Sequence, residues 1–167
     1  MNDLRIRAAV AADIDAVLAF WKVAAEGTSI SDDHAGVARL IERDPGALLL
    51  AERTGGPDTP GGDGAGEGAG VLVGTVIAGF DGWRCHLYRL AVHPGHRRRG
   101  IGGALIAAAE ERFVRLGGRR VDAMVLDRNR LGRAAWQAAE YGADEEWTRW
   151  VKPLAPMAAP AGKPATP

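Results

Sequence analysis

The sequence predicts one α/β domain in which a mixed β-sheet carries helices on its faces. Three observations lead there. Short apolar or alternating runs of strand character are interleaved with segments of helical period. One strand–glycine–helix step, "AVHPGHRRRGIGGALIAAAEERF", stands near the middle of the chain and brings a helix into the order of the sheet. The chain has 167 residues, 47% of them hydrophobic, enough to bury one good core and not two.

The elements follow in order. Leu4, Ile6 and Ala8 alternate with Arg5 and Arg7, the pattern of a strand with one buried face. Asp13 is placed to cap a helix carrying Ile14, Val17, Leu18 and Trp21. Asp32 or Asp33 caps a second helix with Val37, Leu40 and Ile41, which Asp44-Pro45-Gly46 stops. Residues 47–51 read as a strand. Residues 54–70, "TGGPDTPGGDGAGEGAG", hold eight glycines in seventeen positions. Such a stretch buries too little apolar surface to offset its ordering entropy, so a flexible insertion between strands is expected. A phosphate grip there would lack any Lys or Arg.

Val71 to Phe80 and Cys85 to Val92 are the next two strands, joined at Asp81-Gly82. Ile101, Leu105, Ala108, Ala109, Phe113 and Leu116 form one face of a long helix ended by Gly117-Gly118. A strand over 121–126, a helix over 131–139 and a last strand over 147–151 complete the domain, which spans residues 1–153. Residues 154–167 form a Pro/Ala tail with no pattern, expected to be disordered.

Composition excludes several functions. Lys plus Arg and Asp plus Glu number 21 each, so no overall field draws the protein to nucleic acid or an anionic membrane. The single cysteine, Cys85, rules out an internal disulfide and a cysteine-rich zinc site, and no metal is expected. The charged start is unlike a secretory signal, and no apolar run is long enough to span a bilayer. A cytoplasmic protein with no membrane and no nucleic-acid partner is expected.

The arginine–glycine turn carries the functional signal. A helix N-terminus exposes unpaired N–H groups and a partial positive charge, and glycines let an anion approach the main chain. Arg97, Arg98 and Arg99 add charge around the same cradle. A Walker loop needs Lys followed by Ser or Thr, and a dinucleotide fingerprint needs glycine where Leu105 stands. What remains is the pattern [RQ]-x-x-G-x-[GA], matched by Arg97-Arg98-Arg99-Gly100-Ile101-Gly102. The plain alternative is a solvated basic turn with Gly100 as hinge.

The run "YRLAVHPGHRRRGIGGALIAAAEERFVRLGGRRVDAMVLDRNRLGRAAWQAAEYGA" resembles the core of the GNAT superfamily of acyl-CoA-dependent N-acyltransferases. Within it, "GTVIAGFDGWR" followed by "LAVHP" is similar to the small bacterial acetyltransferases called YpeA-like. The resemblance implies a mixed, mostly antiparallel twisted sheet of six to seven strands, with a V-shaped splay and helices on both faces. It also implies that Leu90 and Val92 pair with the pantetheine arm of acetyl-CoA and that N–H groups from Arg97 through Gly103 (Arg97, Arg98, Arg99, Gly100, Ile101, Gly102, Gly103) take the pyrophosphate. Asn129 joins the cofactor-binding set. The implied reaction is direct attack of a primary amine on the thioester in a ternary complex, with an amine-bearing small molecule or protein amine as partner. A homodimer is left open.

Direct attack needs a base for the amine and a proton for the leaving thiolate. His86 lies where some members of the family carry a base carboxylate. A hydrogen-bonded structural histidine is the alternative. His93 and His96 flank the turn and are expected to face solvent or phosphate. The family places a tyrosine seven residues after the asparagine, and here that position is Trp136, a poor proton donor. Tyr141, and secondly Tyr88, are the candidate acids, with core packing around a satisfied hydroxyl the weightier reading of each. A module that binds coenzyme A with weak or no catalysis is therefore the runner-up. In the loop "AEGTSISDDHAG", Glu26, Asp32 and Asp33 would favour a cationic amine unless they serve as caps.

Overall fold

Three antiparallel ladders and one parallel ladder build the sheet, and the parallel one requires a crossover connection. The computed structural model describes residues 4–54 and 70–154. Its strands are β1 (Leu4–Ala8), β2 (Leu48–Arg53), β3 (Val71–Phe80), β4 (Cys85–Val92) and β5 (Val121–Ala123). The helices are α1 (Ile14–Ala24), α2 (His34–Arg43), α3 (Ile101–Arg115) and α4 (Arg130–Ala138). Strand order is β1-β2-β3-β4-β5, antiparallel through β4 and parallel from β4 to β5, with α3 as the crossover.

β2 shows why both faces are covered. Leu48 and Leu50 pack with Val17, Trp21 and Val37 of α1 and α2, whereas Leu49 and Ala51 pack with Leu105, Ala109 and Phe113 of α3. Trp136 of α4 joins the α3 side. Helix α3 lies close on the sheet at Gly74, where an added Cβ would stand 2.9 Å from Leu105 Cδ1.

The regular alternation of β4 breaks at one point. Ile77 pairs with Tyr88 and Thr75 with Ala91, so Val76 alone opposes both Arg89 and Leu90. This is a β-bulge, and Arg89 takes φ +52 to form it. Thr75, fully buried, donates its hydroxyl to the Arg89 carbonyl (3.0 Å) and accepts from Trp21 Nε1 (2.9 Å). The Arg89 guanidinium pairs with Asp32, donates to the Gly27 carbonyl (3.1 Å) and lies 5.6 Å from the Trp21 ring centre. The extra residue resets the phase of the strand. Cys85 and Leu87 pack toward α3, and after the bulge Leu90 and Val92 do so.

Several expectations change. Among the described residues the sheet has five strands, not six to seven. β5 ends at Ala123 rather than at 126, because its ladder with β4 stops at Leu87↔Ala123. Residues 147–151 are not a strand: Trp147 and Val151 are exposed, and Trp150 is 92% exposed. They meet no ladder to pair with, and alternation alone does not supply one. Asp13 does not cap α1 by its side chain. It accepts the Val10 N–H (2.8 Å) and the Arg7 guanidinium, which holds its carboxyl below the usual range. The glycine-rich stretch over 55–69 and the tail over 155–167 lie outside the described residues.

Replacing Thr75 by Val keeps the shape and strands two buried partners, the Trp21 N–H and the Arg89 carbonyl. We expect a loss of about 3 kcal/mol in urea unfolding. A change below about 0.5 kcal/mol, the scale of a neutral surface substitution, would mean the bulge is held by something else.

Candidate active site

The parallel ladder between β4 and β5 has three pairs, Cys85↔Val121, His86↔Asp122 and Leu87↔Ala123, yet β4 continues to Val92. Beyond Leu87 its outer edge has left β5. The His93 N–H bonds to the Val73 carbonyl (2.9 Å), which makes Gly74↔Val92 a non-hydrogen-bonded pair on the β3 side. The N–H and C=O of Val92 therefore point away from β3, the C=O accepting from Arg97 and the N–H facing the open edge. Leu90 lies in the bulge, half-buried against the α3 side.

That edge leads into the turn before α3. Gly100, at φ +81, is the N-cap, and no side chain caps the helix. The first intrahelical bond is from Ala104 N–H to Gly100 O, so the N–H groups of Ile101, Gly102 and Gly103 have no partner within the helix. A Cβ on Gly100 or Gly103 would meet nothing within 4 Å, and one on Gly102 would meet only Val92 Cγ2 at 3.7 Å. Ile101 buries its side chain beneath the turn, against Gly74. The result is an open, positively polarised cradle lined by main chain.

The three arginines divide. Arg97 donates to the Val92 carbonyl (3.1 Å) and the Ala24 carbonyl (3.4 Å), so its guanidinium clamps the turn to β4 and α1. Arg98, at φ +61, and Arg99 are exposed beside the cradle. Asn129 caps α4 by accepting the Gly132 N–H (2.7 Å). His93 accepts the Gly95 N–H (3.2 Å) and its ring lies 6.5 Å from that of Phe20, so it packs inward rather than facing solvent. His96 is also half-buried. Its Nδ1 is buried without a hydrogen-bond partner among the described residues, and burial chiefly pushes its pKa down.

At the fork between β4 and β5, His86 and Asp122 are opposite each other, Nδ1 to Oδ2 3.8 Å. Their neighbours Cys85, Leu87, Val121 and Ala123 face α3, so strand alternation turns His86, Tyr88 and Asp122 to the other side, the side of α1 and α2. Tyr88 is 44% exposed, its ring 5.9 Å from that of His86. It is the first residue of β4 past the end of the ladder. Burial raises its phenol pKa. A cavity of about 390 Å³ borders this region at Trp83, Arg84, Arg120 and Asp122.

Tyr141 sits elsewhere. Its hydroxyl donates to Glu110 Oε1 on α3 (2.8 Å), and its ring packs edge-on to Trp136 at 5.0 Å. Burial and the carboxylate together hold its proton more tightly than in an ordinary tyrosine. The structure thus brings His86 and Tyr88 together and leaves Tyr141 in the α3–α4 packing. Cys85 is buried in the core with its thiol pKa raised. Of the loop acids, Asp32 is engaged by Arg89, and Asp33 caps α2 by accepting the Gly36 N–H (2.6 Å). Asp32 is thus charge-paired, whereas Asp33 holds the cap and, being exposed, keeps its charge. Asp81 holds the hairpin by accepting the N–H groups of Trp83 (2.8 Å) and Arg84 (2.6 Å).

Sequence reasoning missed Thr75, Arg89 and Asp122. The first two left a signal: a lone hydroxyl within "VLVGTVIAGF" and a lone cation within "CHLYRLAV" mark buried polar groups that must find partners. Asp122 left none, because its meaning depends on which strand pairs with β4.

Comparison with known proteins bears on the family and the fold. Residues 42–142 match the model of the "Acetyltransferase (GNAT) family". An acetyltransferase of Pectobacterium atrosepticum is 30% identical over 129 residues, covering 77% of this chain and 81% of the relative. The structure of Ard1 from Thermoplasma volcanium superposes with TM-score 0.64 at 17% identity, covering 82% of this chain and 81% of the other. That of the Salmonella typhimurium protein yncA with its cofactor acetyl-CoA superposes with TM-score 0.59 at 22% identity, covering 83% and 79%. Among the described residues no helix is long and apolar enough to cross a membrane.

Both tyrosines have raised phenol pKa values, so phenolate in the folded protein is expected to form above the ordinary tyrosine value, pH ~10. As pH climbs further, losing the Tyr141 proton removes its bond to Glu110, so stability falls on the alkaline side. An ultraviolet absorbance titration followed alongside circular dichroism checks this. Phenolate appearing at the ordinary pH with the fold intact would contradict it.

Proposed function

The chain belongs to the GNAT acetyltransferase family, and on that premise we propose that it transfers an acetyl group from acetyl-CoA to a primary amine by direct attack in a ternary complex. The observation that carries the reading is the joined pair of features on β4 and α3. A strand edge departs from its neighbour after Leu87 and leads straight into an uncapped glycine helix start. A ligand with both amides and phosphates is the one kind that uses the two together.

Acetyl-CoA supplies an activated thioester carbonyl when bound. Val92, with Leu90, offers main-chain groups to the amides of the arm along an open edge of roughly 13 Å from Tyr88 to Val92, at about 3.3 Å per residue. The N–H groups of Ile101, Gly102 and Gly103 receive the pyrophosphate, and Arg98 and Arg99 add charge from solvent. Arg97 acts by holding the turn, and Asn129 acts by starting α4. The thioester end then lies at the fork, beside His86 and Tyr88.

Bond making there is simple to balance. As the C–N bond forms and the C–S bond breaks, nitrogen gives up one proton and sulfur gains one. His86 accepts the first. Tyr88 or solvent supplies the second. The partner is an amine-bearing small molecule or a protein amine, and a YpeA-like assignment is compatible with this reading. A second reading is a module that binds coenzyme A with weak or no catalysis. It is favoured by Trp136, buried in the core where the family's tyrosine would stand, and by the engagement of Tyr141 with Glu110.

Calorimetric titration with acetyl-CoA tests the cradle. Gly102→Val fills the space over the helix start, and we expect its affinity to fall at least about 10-fold (about 1.4 kcal/mol) with the fold unchanged by circular dichroism. Arg98→Glu is expected to weaken binding less, and more so at low salt. Absence of binding by the unaltered protein would sink the reading. Binding without release of coenzyme A across a panel of amines would favour the second.

A further inference from the structure

We propose that Asp122 is a positioning residue for His86: it faces Nδ1 across the last but one rung of the β4–β5 ladder and orients Nε2 toward the fork where the amine reacts. This rests on the reading of His86 as the base.

The arrangement is specific in three ways. The parallel register places His86 and Asp122 opposite each other, on the same side of the sheet, one rung before the strands part. Both are partly buried, with side-chain exposures of 30% and 29%, so the carboxylate is neither lost in the core nor washed by bulk water. Finally, Asp122 is held from its other sides. Arg120 Nε is 3.3 Å from Oδ1, Arg84 Nη1 is 3.9 Å from Oδ2, and Arg120 is itself fixed by Asp144 at 2.8 Å. Asp122 is thus braced by two guanidiniums, with Oδ2 turned toward the imidazole.

A carboxylate at Nδ1 selects the tautomer that carries its proton there, which leaves the Nε2 lone pair as the acceptor. The present Nδ1 to Oδ2 separation, 3.8 Å, is longer than a hydrogen bond, so the two side chains must draw together for the bond to form. When the amine proton reaches Nε2, the ring becomes a cation, and the same carboxylate balances it. The charged groups around the ring are then Asp122 and Arg120 on and before β5, Arg84 on the hairpin, and Asp81, which acts on His86 through space. A merely structural role makes a different prediction. Asp122 would serve as the anchor of Arg84 and Arg120, and His86 would be a bystander.

Nitrogen-15 spectra of the imidazole decide between them without needing an acceptor, using the full chain, with His86→Gln to identify the signal. The expected result is that the neutral ring carries its proton on Nδ1. Asp122→Ala is expected to return it to the Nε2–H form favoured by an unconstrained imidazole, while acetyl-CoA binding by calorimetry stays within about 2-fold. Asp122→Asn, which keeps the shape, lies between. An Nε2–H ring in the unaltered protein, or no change in Asp122→Ala, overturns the proposal. With any amine that is turned over, Asp122→Ala is expected to lower kcat about 10- to 100-fold and to add nothing in the His86→Gln background. Independent losses that multiply would also overturn it. The underlying reading fails separately, by full turnover in His86→Gln.

Discussion

The hydroxyl of Thr75 binds two elements that sequence separates widely: the indole of Trp21 on α1 and the carbonyl of Arg89 on β4. The second bond falls on the residue whose positive φ makes the bulge. A bulge left alone would relax toward a regular ladder, since the extra residue has no rung of its own. Here it is gripped by Thr75 of β3 and, through the Arg89 guanidinium, by Asp32 and Gly27 between α1 and α2. Because the bulge resets the phase of β4, it decides which groups of Leu90 and Val92 meet the open edge. The cofactor reading descends from it at Leu90 and Val92, whereas His86 and the fork are placed by the register of β4 with β5.

Charge is distributed to match. A chain with no net charge cannot attract a polyanion as a whole, so its cations are placed one by one. Arg7 ties β1 to Asp13 and to Glu52 of β2, Arg89 holds the α1–α2 loop, Arg97 clamps the turn, and Arg112 joins α3 to Asp44. Most of these pairs are partly buried and belong to the architecture. Arg98 and Arg99, beside the uncapped start of α3, remain exposed. The helix start supplies fixed N–H groups and the arginines supply mobile charge, and neither suffices alone to choose a phosphate ligand.

How much of this was legible in the sequence differs by element. β3, β4 and the face of α3 were readable because continuous apolar runs and helical spacing survive tertiary packing unchanged. The arginine–glycine turn was readable because glycines at a helix start have few other uses. The bulge was not, because alternation assumes one residue per rung, and only the partner strand reveals two against one. The strand over 147–151 was over-read for the related reason that a pattern of alternation does not supply a neighbour. The acids Asp32 and Asp33 had two readings each, and only the positions of Arg89 and of the Gly36 N–H separated them. Tyr141 already had core packing among its readings, and the fold decides for it by setting the ring between a glutamate and a tryptophan 31 and 5 residues away.

The fork and the helix start matter only if one ligand engages both at once. Amide hydrogen exchange, followed residue by residue with and without acetyl-CoA, measures that directly. The account predicts slowed exchange at Val92 and at Ile101, Gly102 and Gly103 together, with β1 and β2 unaffected. Slowing at the helix start alone, or on another face of the protein, would contradict it.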